Sequence, residues 1–188
     1  STILRLLLRF YAPSSGGIYI NGVALEQISF AELHRRIAFL EQDTYLFNAT
    51  IAENIALSRP EATMDEIRAA AEKAGVAEFI DTLPEGYQTD MGQMSARLSG
   101  GERQRIGIAR ILLRAPDVCL MDEPSSALDA LHERELLHTL KTAYAGRTLV
   151  LISHRMSTIR HADCIYVLEK GAVAQRGSHE QLMAEDGL

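Results

Sequence analysis

No stretch of this 188-residue chain approaches the roughly 18–20 uninterrupted apolar residues that cross a membrane. The longest apolar runs, such as Val118–Met121 and Leu149–Ile152, are strand-sized, so any membrane role must come through a partner or another segment. Cysteine is scarce as well. Cys119 and Cys164 are the two present; without paired histidines they match no metal-ligand spacing, and they suggest no disulfide framework. Each lies in an apolar run and is expected in a buried strand, as a small hydrophobe. Positive charge is in deficit: 19 Lys and Arg against 25 Asp and Glu give a net charge of −6, which argues against a nucleic-acid partner held by bulk electrostatics. There is no signal peptide, internal repeat or low-complexity tract. The first residue is Ser1 rather than Met, and an apolar helical pattern begins at once, so a fragment of a longer chain is expected.

What is present suits one globular domain. The apolar fraction is 47% and the charged fraction 23%, ordinary values for a soluble fold with a real core. Ile3–Phe10 reads as a helix. Pro13 to Gly17 is a turn cluster, and Ile18–Ile20, Asn21-Gly22 and Val23 read as a hairpin on an Asn-Gly turn. Ser29–Arg36 is a short helix, with Ser29 as N-cap and Glu32 at the capping-box position. Ile37–Leu40 is a short buried strand. From Thr50 to about Arg114 the chain is largely helical. Beyond Asp117 strands and helices alternate: Val118–Met121, helix Leu128–Tyr144, Leu149–Ile152, a short helix Met156–Arg160, then Ile165–Leu168 and Ala172–Gln175 around Lys170-Gly171. Short apolar strands alternating with helices predict a parallel α/β sheet, interrupted between residues 50 and 114 by an inserted helical subdomain.

Chemistry concentrates at a few places. Leu98-Ser99-Gly100-Gly101-Glu102-Arg103-Gln104 opens a helix: Ser99 and Glu102 have capping-box spacing, and two glycines leave the first-turn N–H groups approachable. Such an end attracts phosphate. Val118–Met121 delivers Asp122 and Glu123 to the carboxyl end of a buried strand, where open α/β sheets bind ligands. One carboxylate there can orient Mg²⁺ and the next polarise an attacking water. Pro124 ends the strand, and Ser126-Ala127-Leu128-Asp129 opens the next helix with Ser125 or Ser126 as its cap. His154 follows Leu149–Ile152, and Gln42 follows Ile37–Leu40. Taken singly, these are a capped helix, an acidic turn, a surface histidine and a loop glutamine. Together they place polar groups at the same end of three strands. Ser1-Thr2, before Ile3–Leu7, looks like the tail of Gly-x-x-x-x-Gly-Lys-Ser-Thr.

In combination these residues resemble the nucleotide-binding domain of ABC transporters over essentially the whole chain. Leu98–Gln104 resembles the family signature, Val118–Glu123 the Walker B strand with its adjacent glutamate, Ser126–Asp129 the D-loop, His154 the switch histidine and Gln42 the Q-loop glutamine. The resemblance implies a P-loop NTPase (RecA-like) parallel-sheet core, α/β, with an inserted α-helical subdomain and its N-terminal strands missing. The core would take residues 1–45 and 115–188, and the helical subdomain 46–114. It implies ATP and Mg²⁺, with Glu123 and His154 catalytic; Ser1, Gln42 and Asp122 at the metal; and Ser1, Thr2, Gln42, Ser99, Gly100, Gly101, Glu102 and Asp129 at the nucleotide. A second ABC ATPase domain would pair head to tail, so that Ser99 and Gly101 serve the partner's γ-phosphate. Gln42–Phe47 with Thr50–Ile55, and Thr89–Gly92 before the signature, look exporter-like, whereas Glu123-Pro124 departs from the Glu-Ala usual in many exporters. Transmembrane domains fused upstream, and a place on the cytoplasmic face of the plasma membrane, are implied; no nucleic acid is. The glycine-rich loop and lysine that hold β- and γ-phosphates are not in the sequence, so the 188 residues alone are expected to lack ATPase activity.

Overall fold

A computed structural model describes residues 2–94 and 98–184. The described residues fall into two compact units that divide between Ile152 and Ser153. In the first, α1 (Thr2–Leu7) precedes the hairpin β1 (Tyr19–Ile20) and β2 (Val23–Ala24). Asn21 and Gly22 both take positive φ, 51° and 79°, as the two-residue turn of a right-twisted hairpin requires. Helix α2 (Phe30–Arg36) leads into β3 (Ile37–Leu40). Then come α3 (Ile51–Ala56), α4 (Met64–Lys73), α5 (Ala77–Asp81), α6 (Met91–Met94) and the long α7 (Gly100–Arg114). The unit closes with β4 (Val118–Asp122), α8 (Ala130–Ala143) and β5 (Thr148–Ile152).

Strands β3, β4 and β5 form a parallel sheet in that order, with Leu40 opposite Met121 and Asp122 opposite Ile152. Both faces are covered, which is why the strands read as unbroken apolar runs. Alternate side chains go to opposite faces. Ile37, Phe39, Val118, Leu120, Val150 and Ile152 join Leu4, Leu8, Leu25 and Leu33 on one side. Ala38, Leu40, Cys119, Met121, Leu149 and Leu151 join the larger core on the other, built with α3, α4, α7 and α8.

The helices between β3 and β4 start where their caps dictate. Thr50, Thr63 and Ser99 each accept a hydrogen bond from the backbone N–H three residues on, and Glu53, Glu66 and Glu102 return the bond to the cap's own N–H. At α2 the box forms by half. Ser29 accepts from the Glu32 N–H, but the Glu32 carboxylate is taken by Arg35 and Arg36, at 2.7 and 2.5 Å, because two guanidiniums outbid one backbone N–H.

The second unit contains α9 (Met156–Ile159), an antiparallel pair β6 (Ile165–Glu169) and β7 (Ala172–Gly177), and α10 (His179–Ala184). Lys170 and Gly171 make the turn, both with positive φ. Cys164 is exposed just before β6, not buried in a strand as expected, whereas Cys119 is fully buried. The apolar run after Cys164 belongs to a hairpin with most of its side chains accessible. Among the described residues, no helix is long and apolar enough to cross a membrane.

Candidate functional site

The carboxyl ends of the three parallel strands stand side by side, and the candidate residues follow them. Gln42 lies two residues beyond β3 and is exposed. Asp122 ends β4 and is 8% exposed, and Glu123, partly buried, follows. His154 lies two residues beyond β5 in sequence, belongs to the second unit and is exposed. Thr2 is exposed at the start of α1; Ser1 lies outside the described residues.

Glu123 has a left-handed backbone, φ 51°, a conformation that costs a non-glycine residue energy and tends to persist where surrounding bonds enforce it. Those bonds are present. Its N–H donates to the Ile152 carbonyl at 2.9 Å, and its own carbonyl accepts from the Ser126 N–H at 3.1 Å and from the Gln104 Nε2 at 2.9 Å. The chain then turns through Ser125–Leu128, where the Leu128 N–H donates to the Ser125 carbonyl at 3.0 Å.

The cap of α8 is Asp129, not Ser125 or Ser126. The Asp129 carboxylate accepts from the Leu131 and His132 N–H groups at 3.0 Å each and meets His132 Nδ1 at 2.7 Å. The His132 N–H and ring, with the Leu131 N–H, hold the Asp129 carboxyl below the usual carboxylate range. Ser125 is unavailable as a cap because it is drawn fully inside, where its hydroxyl donates to the buried Glu133 at 3.3 Å.

Helix α7 brings its N-terminus to this turn. Ser99 Oγ accepts from the Glu102 N–H, and the Glu102 carboxylate folds back to the Ser99 N–H at 2.7 Å. That arrangement occupies the acid locally at a helix end otherwise suited to an anion. Gly100 and Gly101 are required by contact as well as by accessibility. A Cβ on Gly100 would lie 3.2 Å from Ala127 Cβ, and one on Gly101 would lie 3.2 Å from the Ala127 carbonyl oxygen. The segment Ser99–Gly101 and the turn 123–129 are therefore in van der Waals contact at one end of α7, and hydrogen-bonded through Gln104 one turn further in. Sequence reasoning placed Gln104 in the motif but gave it no role. Its signal was an amide on the apolar face of a helix, where it is 1% exposed.

The donor set fits Mg²⁺ rather than a closed transition-metal site. Asp122 and Gln42 offer hard oxygens, and among the described residues no group of three or more His, Cys, Asp or Glu could hold a metal. Magnesium typically takes one or two carboxylates and keeps its waters.

The loop between β3 and α3 is held from below. Buried Asn54 accepts from the Phe47 N–H at 2.9 Å and donates to the carbonyls of Phe47, Ala49 and Thr50 at 3.0, 3.3 and 3.0 Å. Arg110 of α7 donates to the carbonyls of Asn54 and Tyr45 at 2.8 and 3.3 Å, and burial lowers its pKa. Above these pins Tyr45 and Phe47 stand edge to face, centroids 4.9 Å apart, 67% and 46% exposed.

Known proteins resemble this chain in sequence and in fold. The family model described as ABC transporter matches residues 1–126. The chain is 47% identical over all 188 residues to human ATP-binding cassette sub-family B member 6, covering 22% of that protein. It is 45% identical to an ATM1-type heavy metal exporter of Novosphingobium aromaticivorans, covering 31% of it. A structure of a bacterial Atm1-family ABC exporter with ATP bound superposes with a TM-score of 0.95 at 44% identity, over the whole of this chain and 33% of that one. The chain thus spans between a fifth and a third of these relatives. With its parallel sheet, capped signature helix and paired carboxylates at the sheet's carboxyl end, the chain belongs to the ABC transporter family.

Proposed function

We propose that this chain is the part of an ABC exporter that binds and hydrolyses ATP, set at the cytoplasmic face of the plasma membrane beneath transmembrane domains of the same protein. The observation that carries the reading is the joining of two half-sites in one body. The capped N-terminus of α7 and the Asp122-Glu123 strand end are fixed to each other by the Gln104 bond and the glycine contacts. A helix end with accessible N–H groups binds phosphate, and two carboxylates at a sheet's carboxyl end serve metal and water, yet each half lacks what the other supplies. A second ABC ATPase domain, paired head to tail, completes both.

In this reading Ser99, Gly100 and Gly101 position the γ-phosphate of the nucleotide held mainly by the partner, while Glu102 keeps the helix end capped. Ser1, Gln42 and Asp122 would hold Mg²⁺, which neutralises phosphate charge when bound. Glu123 orients the attacking water and accepts its proton, and His154 contacts the γ-phosphate. Thr2 lies near the α-phosphate, and Asp129 keeps the turn before α8 in register at the dimer contact. The work is positioning and electrostatics, which dominate phosphoryl transfer. The helices between β3 and β4 act as the inserted subdomain, and the exposed Tyr45–Phe47 pair beside Gln42 suits contact with the membrane domains. The 188 residues contain no glycine-rich phosphate loop with its lysine, so by themselves they should be inactive.

The test uses the full-length transporter in lipid. Glu123→Gln should lower ATP turnover by roughly 10²-fold or more, the scale of a lost general base, while Mg-ATP still binds. Turnover within about twofold of the parent would remove Glu123 from this role.

A further inference from the structure

We infer that Gln104 is a positioning residue for Glu123 of its own chain, so that the signature helix serving one ATP site also sets the water-orienting carboxylate of the other. The inference rests on the head-to-tail reading above and extends it to communication between the two sites.

Gln104 lies in the second turn of α7, beyond the residues that face a nucleotide, and is 1% exposed. A glutamine buried this deeply in an apolar core needs a reason, because an amide loses its water partners there. Its one hydrogen bond in the described structure is donated by Nε2 to the Glu123 carbonyl at 2.9 Å, and no donor reaches its Oε1. The side chain is thus held for its donor end, with the acceptor left unserved. The bond falls on the one residue of the strand-end turn with a left-handed backbone, φ 51°. In that conformation the peptide groups on either side set the direction of the Glu123 Cα–Cβ bond. One is anchored to Ile152 of β5 through the Glu123 N–H, at 2.9 Å; the other is anchored to Ser126 and to Gln104 of α7. Loss of the Gln104 bond leaves the carbonyl side of a strained residue to the local Ser126 turn alone, with no tie to α7.

The same helix touches the same turn a second time. The van der Waals contact of Gly100 and Gly101 with Ala127 and Leu128 leaves no slack between the phosphate-binding end of α7 and the turn. A displacement of Ser99–Gly101, as when a γ-phosphate is gained or lost, therefore acts on the backbone of Glu123 through both contacts. The amide bond is the part that reaches Glu123 itself, and it can be removed by substitution without touching the residues that face phosphate.

The experiment uses a dimer of two full-length copies, separately tagged, in lipid. The second copy always carries Glu123→Gln, which leaves one hydrolysing site, formed by Glu123 of the first copy and Ser99 of the second. Gln104→Met keeps the side chain's length and removes the donor; Gln104→Leu removes it with a branched apolar side chain. On the first copy either substitution should lower kcat on the order of 10- to 100-fold, the scale of a misplaced reacting group, with KM for ATP unchanged. On the second copy the same substitutions should leave kcat unchanged, because the Glu123 they support is already disabled. Ser99→Arg reports on the split site independently and should abolish turnover when placed on the second copy. Loss of turnover from Gln104 substitutions on the second copy, on both copies, or on neither would overturn the inference. A Ser99→Arg effect confined to the first copy would instead overturn the head-to-tail arrangement itself.

Discussion

Gly107 of α7 lies against Thr44 so closely that a β-carbon there would sit 2.8 Å from both Thr44 Cγ2 and Thr44 Oγ1, and 2.9 Å from Leu40 Cδ1. Thr44 follows Gln42 by two residues, and Leu40 ends β3. The signature helix is therefore seated on the segment that carries Gln42 by a contact only glycine permits. Thr44 is β-branched and stiff at χ1, so it cannot swing away. Gly107→Ala should destabilise the protein by about 1–3 kcal/mol, the usual cost of overpacking, read as a lowered denaturation midpoint. Adding Thr44→Ala removes both obstructing branches and should restore much of the loss. A double variant no better than Gly107→Ala alone would show that Leu40 or the backbone sets the cost, since residues in contact should couple.

The strands that precede the candidate residues could be read before the fold was in view, for definite physical reasons. Gln42, Asp122-Glu123 and His154 each follow a short apolar run, and such runs suit strands covered on both faces; the structure sets them side by side in the order β3-β4-β5. The capping box at Ser99 is local, closed within four residues, and its spacing was read; those at Thr50 and Thr63 have the same spacing and went unread. What stayed hidden depends on competition or distance. Glu32 has the capping-box position, but Arg35 and Arg36 take its carboxylate. Asp129 displaces Ser125 and Ser126 as the cap of α8 because Ser125 is claimed by Glu133, eight residues on. The Gln104–Glu123 bond joins residues 19 apart on different elements, and nothing in the pattern Asp-Glu-Pro announces a left-handed glutamate. The burial expected for Cys164 failed because an apolar run shows a strand and not what covers it.

The loop between Gln42 and α3 depends on one buried amide. Asn54 is 1% exposed and satisfies three carbonyls and one N–H of residues 47–50. Arg110 adds a second set of bonds to the same loop. Asn54→Ala takes the acceptor from the Phe47 N–H and the second bond from the carbonyls of Phe47, Ala49 and Thr50, which keep backbone bonds from the N–H groups of Ala49, Met91 and residue 54, at a cost of about 1–3 kcal/mol. The loop should also become more open to proteolytic cleavage in the full protein, since Leu46 is then its main buried apolar anchor beside the Arg110 bonds. Limited proteolysis with mass spectrometry checks this. Unchanged cleavage of residues 45–50 would mean that Arg110, Leu46 and the backbone bonds hold the loop without Asn54.

The two cysteines should differ in reactivity and in their effect on alkaline stability. Cys164 is exposed and should alkylate in the native protein, whereas Cys119 lies fully buried in β4 and should label only on unfolding. Burial pushes the Cys119 thiol up to about 12 from an ordinary value of 9.0. The Tyr144 phenol beside it is buried too and is pushed upward in the same way. Above pH 9 the unfolded chain releases these protons and the folded one keeps them, so the unfolded state binds fewer protons and stability falls as pH rises. The contribution is intact below pH 9 and is lost progressively toward pH 12; for the thiol it amounts to a few kcal/mol on the order-of-magnitude scale of pKa linkage. The urea midpoint for Cys119 labelling, followed by mass spectrometry at pH 7, 9 and 10.5, should therefore decline most across the last interval. Cys119→Ala, followed through unfolding of the same strand, should have a lower baseline from the lost side chain but a shallower decline with pH. Cys164→Ser should reproduce the parent slope. A Cys119→Ala slope as steep as the parent's would place the alkaline loss on Tyr144 instead.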